Sequence, residues 1–514
     1  MNVLNNTNES PHRGVKVFAD YTGPFTESCE VLVVGSGPGG AVVAKELAEA
    51  GLDVILLEEG PPFAAADFRQ DAGATMQRTL REQGTRVAVG NAYMPTMQIN
   101  ALGGGSLINS AICARAPRFA LEKWQRCTGL DLAPEELDPH YARVEAFLGV
   151  EPTSSEVLGE RNRRFKAGCD ALGISSEPTH RNVRGCKGSA ECFTGCRHGA
   201  KRSMDVSYVP AAIRAGARVY TSVRAEYLMH DGHVVRGMRG HVVEPFTSRE
   251  SHEVKILAKA VVLAAGCMQT PVILQKSGLD GRWVGRELQF HPGLAVMAMY
   301  EEAINPWVGA TQGYHSLHYL REGFKLEVLW APPAILATRL PGIGHEYQRN
   351  LLNYDRMATF DVIAAADRSR GRVRSPRRGW NPRISFDLHE KDMAVLVRGL
   401  AVLSDICWTS GAVQVLPGVN GLPDRLLSKD ESNILRAAKV KPSDAIIGSN
   451  HAFGTTRMSK RPKDGVVDGR GRHHQVRNLY IADTGIFVGS PAVNPMLICM
   501  ALADRIALGI AKSW

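Results

Sequence analysis

At 514 residues the chain is too long for one simple core, so about two or three closely packed domains are expected. Apolar residues make up 44% and charged residues 22%, an ordinary balance for a soluble globular protein, and no window approaches the roughly 18 uninterrupted apolar residues of a membrane span. The net charge of +9 suits an anionic cofactor or a membrane surface, but it is spread along the chain and selects neither.

In chain order, residues 1–28 read as a lead-in with little structure, and their polar start, MNVLNNTNESPHRG, is not a secretory signal. Cys29 to Gly60 is the first stretch with a clear job. An apolar run, Val31 to Val34, predicts a buried parallel strand; a helical pattern follows from Ala41 to Ala50, with Gly51 as its stop, and Val54 to Leu57 predict a second strand closed by Glu58. Between strand and helix stand Gly35, Gly37 and Gly40. The first permits the tight turn, the second lets backbone approach a pyrophosphate, and the third lets helix and strand pack closely. The helix amino terminus offers free N–H groups to phosphates, and Glu58 can accept hydrogen bonds from a ribose diol. Dinucleotide binding follows.

A long polar helix is expected over roughly Ala64 to Gln83, then the glycine-rich segment Ala101 to Trp124. Gly103, Gly104 and Gly105 cannot pack a core; they suit backbone running close against something flat or charged. Here a resemblance enters. Gly103-Gly-Gly-Ser106-Leu-Ile108-Asn109, with Arg115 and Trp124, resembles the first signature of the glucose–methanol–choline (GMC) oxidoreductases. The resemblance implies that Gly103, Gly104, Ser106 and Asn109 lie along FAD. Some members bond flavin through a histidine at the position of Ile108, and isoleucine cannot do so, which implies non-covalent FAD.

Asp131 to Val150 has helical periodicity. Cys186, Cys192 and Cys196, followed by His198, do not match the paired spacing of zinc knuckles or the four thiolates of an iron–sulfur site, so a structural loop is expected rather than a metal, with a labile disulfide left open. A similar loop, followed by a KxS segment like Lys201-Arg202-Ser203, occurs in the branch that resembles long-chain alcohol oxidases. Ala211 to Val223 reads as helix end, turn and strand, and Ala260 to Gly266 as another buried parallel strand. By resemblance, the backbone of Val223 holds adenine. His291, before Pro292 in a connecting segment, reads as a hydrogen-bonded structural residue. Pro292 to Lys441 alternates strands and helices without glycine fingerprints, which predicts an α+β substrate domain on an antiparallel sheet. Its basic stretch, Arg368 to Arg383, is short and carries prolines, so it reads as a solvated hairpin and not as a nucleic-acid site.

The last stretch carries the chemistry. Asn450-His451-Ala-Phe-Gly454-Thr455, Arg457-Met458, Asn478-Leu-Tyr-Ile-Ala-Asp483 and Ser490-Pro-Ala-Val-Asn494-Pro495-Met496 closely resemble the GMC carboxy-terminal signature. Oxidising an alcohol needs a proton taken from O–H and a hydride delivered from C–H. Histidine is the natural base near neutral pH. The resemblance makes His451 that base, Asn494 its partner holding the alcohol oxygen, and flavin N5 the hydride acceptor. Asp483 would bond the ribityl or pyrophosphate, and Pro495 with the following helix start would face the flavin's pyrimidine end. His473 and His474 read as exposed loop residues.

Together these features predict an α/β FAD-binding domain of Rossmann-like, GMC type interleaved with an α+β substrate domain. The expected division is 28–150, 201–291 and 442–514 for the FAD-binding domain, 151–200 for an insertion with the cysteine-rich loop, and 292–441 for the substrate domain. The implied function is FAD-dependent oxidation of an alcohol to aldehyde or ketone, with oxygen or a quinone or cytochrome as acceptor. The alternatives are a lyase or decarboxylase of the same fold, or a non-catalytic FAD-binding protein. Phe324 to Ala337 is rich in apolar residues and, with the branch resemblance, points to apolar primary alcohols. No metal and no nucleic acid are expected. Ten scattered cysteines suit a cytoplasmic protein with reduced thiols, with room for contact at a membrane face.

Overall fold

The structure is a computed structural model that describes residues 13–69 and 71–514. Most of the polar start, residues 1–12, lies outside the described residues. In chain order, the strands of the two large sheets begin with β1 (Val15–Lys16), β2 (Phe25–Val34), β3 (Val54–Leu57), β4 (Glu177–Pro178), β5 (Arg218–Tyr220), β6 (Val223–His230) and β7 (Val235–Val243). They continue with β8 (Glu250–Leu263), β9 (Gly293–Met299), β10 (Tyr314–Ser316), β11 (Phe324–Leu329), β12 (Met357–Ala364), β13 (Gln414–Leu416) and β14 (Leu479–Ile481). Three helices shape the site: α1 (Pro38–Glu49), α2 (Glu390–Thr409) and α3 (Met496–Ser513).

The first sheet runs β1-β5-β3-β2-β8-β7-β6, with β14 also paired to β8. Its central strands β3, β2, β8 and β14 are parallel, and their apolar residues are buried on both faces, which is why Val31–Val34 and Val54–Leu57 read as unbroken apolar runs. Helix α1 starts with Pro38 at its first turn and stops just before Gly51, whose φ of +87° turns the chain out of the helix. It packs against α3. Parallel register brings the carboxyl ends of β2, β3, β8 and β14 together, so that Gly35, Glu58, Ala264 and Ala482 form one crevice. In open α/β sheets that is where ligands bind.

The second sheet, β13-β9-β12-β11-β10-β4, is antiparallel throughout. Side chains alternate across it. Phe324, Leu326 and Val328 of β11, with Phe360 and Val362 of β12, join the core that also holds Leu396 and Leu400 of α2. Lys325, Glu327 and Asp361 therefore face the other way. The apolar reading of 324–337 holds for one face of this strand only.

Several expectations need correcting. Residues 1–28 are not a mere lead-in: β1 pairs with β5, and β2 already begins at Phe25. The span 64–83 is not one helix. A new helix, Ala72–Thr79, starts where the Asp71 carboxylate accepts from the Ala74 N–H, and Glu82 and Gln83 adopt positive φ just after it. His473 is buried and not exposed, because its Nδ1 accepts from the N–H groups of Gln475 and Val476 and folds the turn over it. The basic stretch is the expected hairpin, Arg370–Arg374 against Arg383–Asp387. The disulfide that the sequence left open does not form: all ten cysteines carry free thiols. Among the described residues no helix is long and apolar enough to cross a membrane.

Candidate active site

A continuous cavity of about 440 Å³ runs from the crevice of the first sheet to the polar face of the second. Of the residues expected at the site, Gly35, Gly37, Glu58, Gly104, Ser106, Asn109, Val223, His451, Asp483, Asn494 and Pro495 line it. Gly40 and Gly103 do not. Gly40 packs helix on strand, since a Cβ there would stand 1.9 Å from the carbonyl oxygen of Gly35. Gly103 holds a left-handed turn, with φ +95°, and donates its N–H to Ser36 Oγ.

At the crevice end, Glu58 is buried and its carboxylate accepts from the N–H and Oγ of Ser36 and from the N–H of Gly60. Burial pushes its pKa up, and those three bonds oppose the rise. The N–H of Val223 is committed to the carbonyl of Glu58, which leaves only its carbonyl for the expected adenine contact. Asn109 links two segments: Oδ1 accepts from the Ala111 N–H, and Nδ2 meets Met496 Sδ at the start of α3. Ser106 bonds Gly103 and Met204 through its hydroxyl. Lys201, which the sequence suggested only as a family mark, is buried and donates to the carbonyls of Leu107, Asn109 and Cys192, clamping the glycine-rich segment. Asp483 accepts from the N–H groups of Gly266 and Gly485 and from Thr270 Oγ1, and burial lifts its pKa to about 6.

At the other end stands His451. Its Nδ1 lies 3.2 Å from His291 Nδ1, and His291 Nε2 lies 2.7 Å from Ser490 Oγ. No protein group among the described residues hydrogen-bonds His451 Nε2. Burial first, then the charge of Lys325, pushes His451 down to about 4; burial and the neighbouring His451 push His291 well below its ordinary value. Both rings are therefore neutral near pH 7. Asn494 Oδ1 accepts from the Lys325 ammonium, which also donates to Glu327 Oε2 at 2.6 Å. Glu327 Oε1 accepts from Gln312 Nε2 at 2.8 Å. His291 is hydrogen-bonded as expected, but it also lines the cavity against His451. The sequence reading missed that role and missed Lys325 and Glu327; the alternation in Phe324-Lys-Leu-Glu-Val-Leu329 was the signal available.

A parallel crevice with a glycine turn and a strand-end carboxylate, set against a polar antiparallel face, is the arrangement of a dinucleotide-dependent enzyme. The chain belongs to the GMC oxidoreductase family. Models described as GMC oxidoreductase match residues 70–293 and 367–503, and one described as FAD binding domain matches residues 28–86. An uncharacterized GMC-type oxidoreductase of Mycobacterium tuberculosis is 32% identical, over 97% of this chain and 78% of its own. A long-chain-alcohol oxidase of Arabidopsis thaliana is 25% identical, over 98% of this chain and 70% of its own. Among solved structures, pyridoxine 4-oxidase from Mesorbium loti superposes with a TM-score of 0.69 at 18% identity, over 94% of this chain and 99% of that one. FAD is the cofactor. The residues present fit it: Gly37 and Gly104 approach so closely that a Cβ on Gly104 would stand 2.7 Å from Gly37 Cα, while a Cβ on Gly105 would meet no protein atom within 4 Å. The backbone is thus bare along this part of the cavity, as the approach of a flat group requires.

Proposed function

We propose that the protein oxidises a hydroxyl-bearing carbon of a small molecule to an aldehyde or ketone. FAD, when bound, supplies the hydride acceptor. His451 Nε2 takes the hydroxyl proton: the ring is neutral, its other nitrogen is engaged by His291, and this nitrogen is free of protein partners. Asn494 holds the substrate oxygen through its Nδ2, because Oδ1 is already engaged by Lys325. The residues along the glycine-rich turn and Glu58 hold the nucleotide, and Ile108, which lines the cavity, offers no atom for a covalent flavin bond.

The observation that carries this reading is the pairing of a neutral histidine, one nitrogen free, with an amide of fixed orientation in one cavity. Oxygen is favoured as electron acceptor because the Arabidopsis relative is named an oxidase. Ten free thiols suit a reducing compartment such as the cytoplasm. The test is anaerobic mixing of FAD-loaded protein with a panel of alcohols, followed by air. Bleaching of the flavin absorbance and recovery with peroxide supports an alcohol oxidase. Bleaching without recovery keeps alcohol oxidation but excludes oxygen. Bleaching by no alcohol contradicts the proposal.

A further inference from the structure

The part of the cavity lined by the second sheet carries a polar group that the proposed reaction does not use. Asp361 sits on β12 directly across from Glu327 on β11, so both carboxyls share one face of the sheet. Glu327 is fully engaged by Lys325 and Gln312. Asp361 is only 8% exposed, lines the cavity, and its Oδ1 has no hydrogen-bond partner. A buried, unpaired polar atom is costly, and a carboxyl that carries one at a cavity wall is satisfied when a ligand brings the partner and the side chain turns to meet it. Space is kept for that partner: a Cβ on Gly293 would stand 3.1 Å from Oδ1, and the residue there is glycine. The rest of the wall adds to the contrast with an apolar chute, since Arg339 and Gln312 also line it.

We infer that the alcohol oxidised here carries a second hydrogen-bonding group, a hydroxyl or an ammonium, and that Asp361 is the side chain that reads it. The inference rests on the proposed alcohol oxidation and adds the substrate class. The carboxyl serves both sources: protonated, it exchanges hydrogen bonds with a hydroxyl; ionised, it pairs with an ammonium. With Asp361 on the second-sheet wall beside Glu327, a plain alkanol leaves this carboxyl unpaired, and discrimination against it follows.

The experiment compares alkanols, α,ω-diols and ω-amino-alkanols, matched in chain length, as reductants of the FAD-loaded enzyme. At the best length, kcat/KM for the diol or the amino alcohol should exceed that for the alkanol by about 10- to 100-fold. The larger gain identifies hydroxyl or ammonium as the natural partner. In Asp361→Leu, and in Asp361→Asn as a shape-preserving control, that ratio should collapse toward one for the amino alcohol. The oxidised wild-type enzyme should also gain melting temperature with the favoured ligand, and Asp361→Leu should not. Equal or better use of plain alkanols at every length, or a preference that survives in both variants, overturns the assignment of Asp361. Bleaching by no alcohol of any series would overturn the parent reading together with it.

Discussion

The ammonium of Lys325 donates a hydrogen bond to the side-chain oxygen of Asn494, across 169 positions of sequence. An amide has one accepting end and one donating end, so fixing the oxygen presents the NH₂ elsewhere. Lys325 is itself held by Glu327, and Glu327 by Gln312, so the orientation of Asn494 is set by a chain anchored in the second sheet. The same positive charge helps keep His451 neutral.

Replacing Lys325 by Met tests that chain. The Glu327 carboxylate loses its buried partner, and stability should fall by about 3–5 kcal/mol. Losing the positive charge should raise the pKa of His451, so the acid limb of the kcat/KM profile moves from near 4 toward its ordinary value of 6.5. Adding Glu327→Gln should recover melting temperature and leave a smaller upward shift of the limb, because the Glu327 charge, which pulls the His451 pKa up, is then gone as well. An unshifted limb in both variants would show that Lys325 has no part in tuning the base.

Two glycines on the same cofactor path should respond in opposite ways. A Cβ on Gly39 would stand 1.7 Å from the carbonyl oxygen of Ala482, a backbone atom that cannot swing away, so Gly39→Ala should cost several °C of melting temperature or abolish folding. Gly105→Ala should melt like wild type without cofactor, because no protein atom lies near the new methyl. Its FAD affinity should fall about 10-fold or more, since 1.4 kcal/mol of lost contact is a tenfold change. FAD titration with calorimetry separates the two.

Stability should depend on pH through Asp361. Burial, then the charge of Glu327, pushes its carboxyl up to about 8, against the opposing pull of Arg339 and Lys325. The unfolded carboxyl titrates near 3.9. Between about 4 and 8 the folded chain therefore binds the extra proton, and this group's contribution, complete below about 4, is lost as pH rises to 8. Asp361→Asn removes the dependence, so its melting temperature should gain on wild type steadily as pH rises across that window. The histidines act with the opposite sign: burial holds His451 and His473 down to about 4, so their contribution is lost as pH falls from 6.5 toward 4.

The strand–turn–helix–strand unit at the cavity was legible in the sequence because its determinants are local. Val31–Val34, the glycine turn and Glu58 lie within one βαβ unit, and strand, turn and helix each have a pattern that needs no distant partner. The polar face of the second sheet was not legible as part of the cavity. Glu327 and Asp361 become neighbours only through the register of β11 on β12, and His291 reaches His451 through chain crossings that no spacing encodes. A count of apolar residues over 324–337 hid Lys325 and Glu327, although the period-2 pattern that separates the two faces was present. His473 misled for a different reason: a polar residue in a turn reads as exposed, yet here its ring nitrogen supplies the turn's own hydrogen bonds.

The most direct measurement is the rate at which an alcohol bleaches the flavin in a single anaerobic turnover, wild type against His451→Ala. The variant should keep FAD bound, with unchanged affinity, and reduce it about 10²- to 10⁴-fold more slowly, the range a lost general base accounts for. Bleaching of the His451→Ala enzyme at the wild-type rate would contradict the account, because the proton would then be leaving by a route that this histidine does not control.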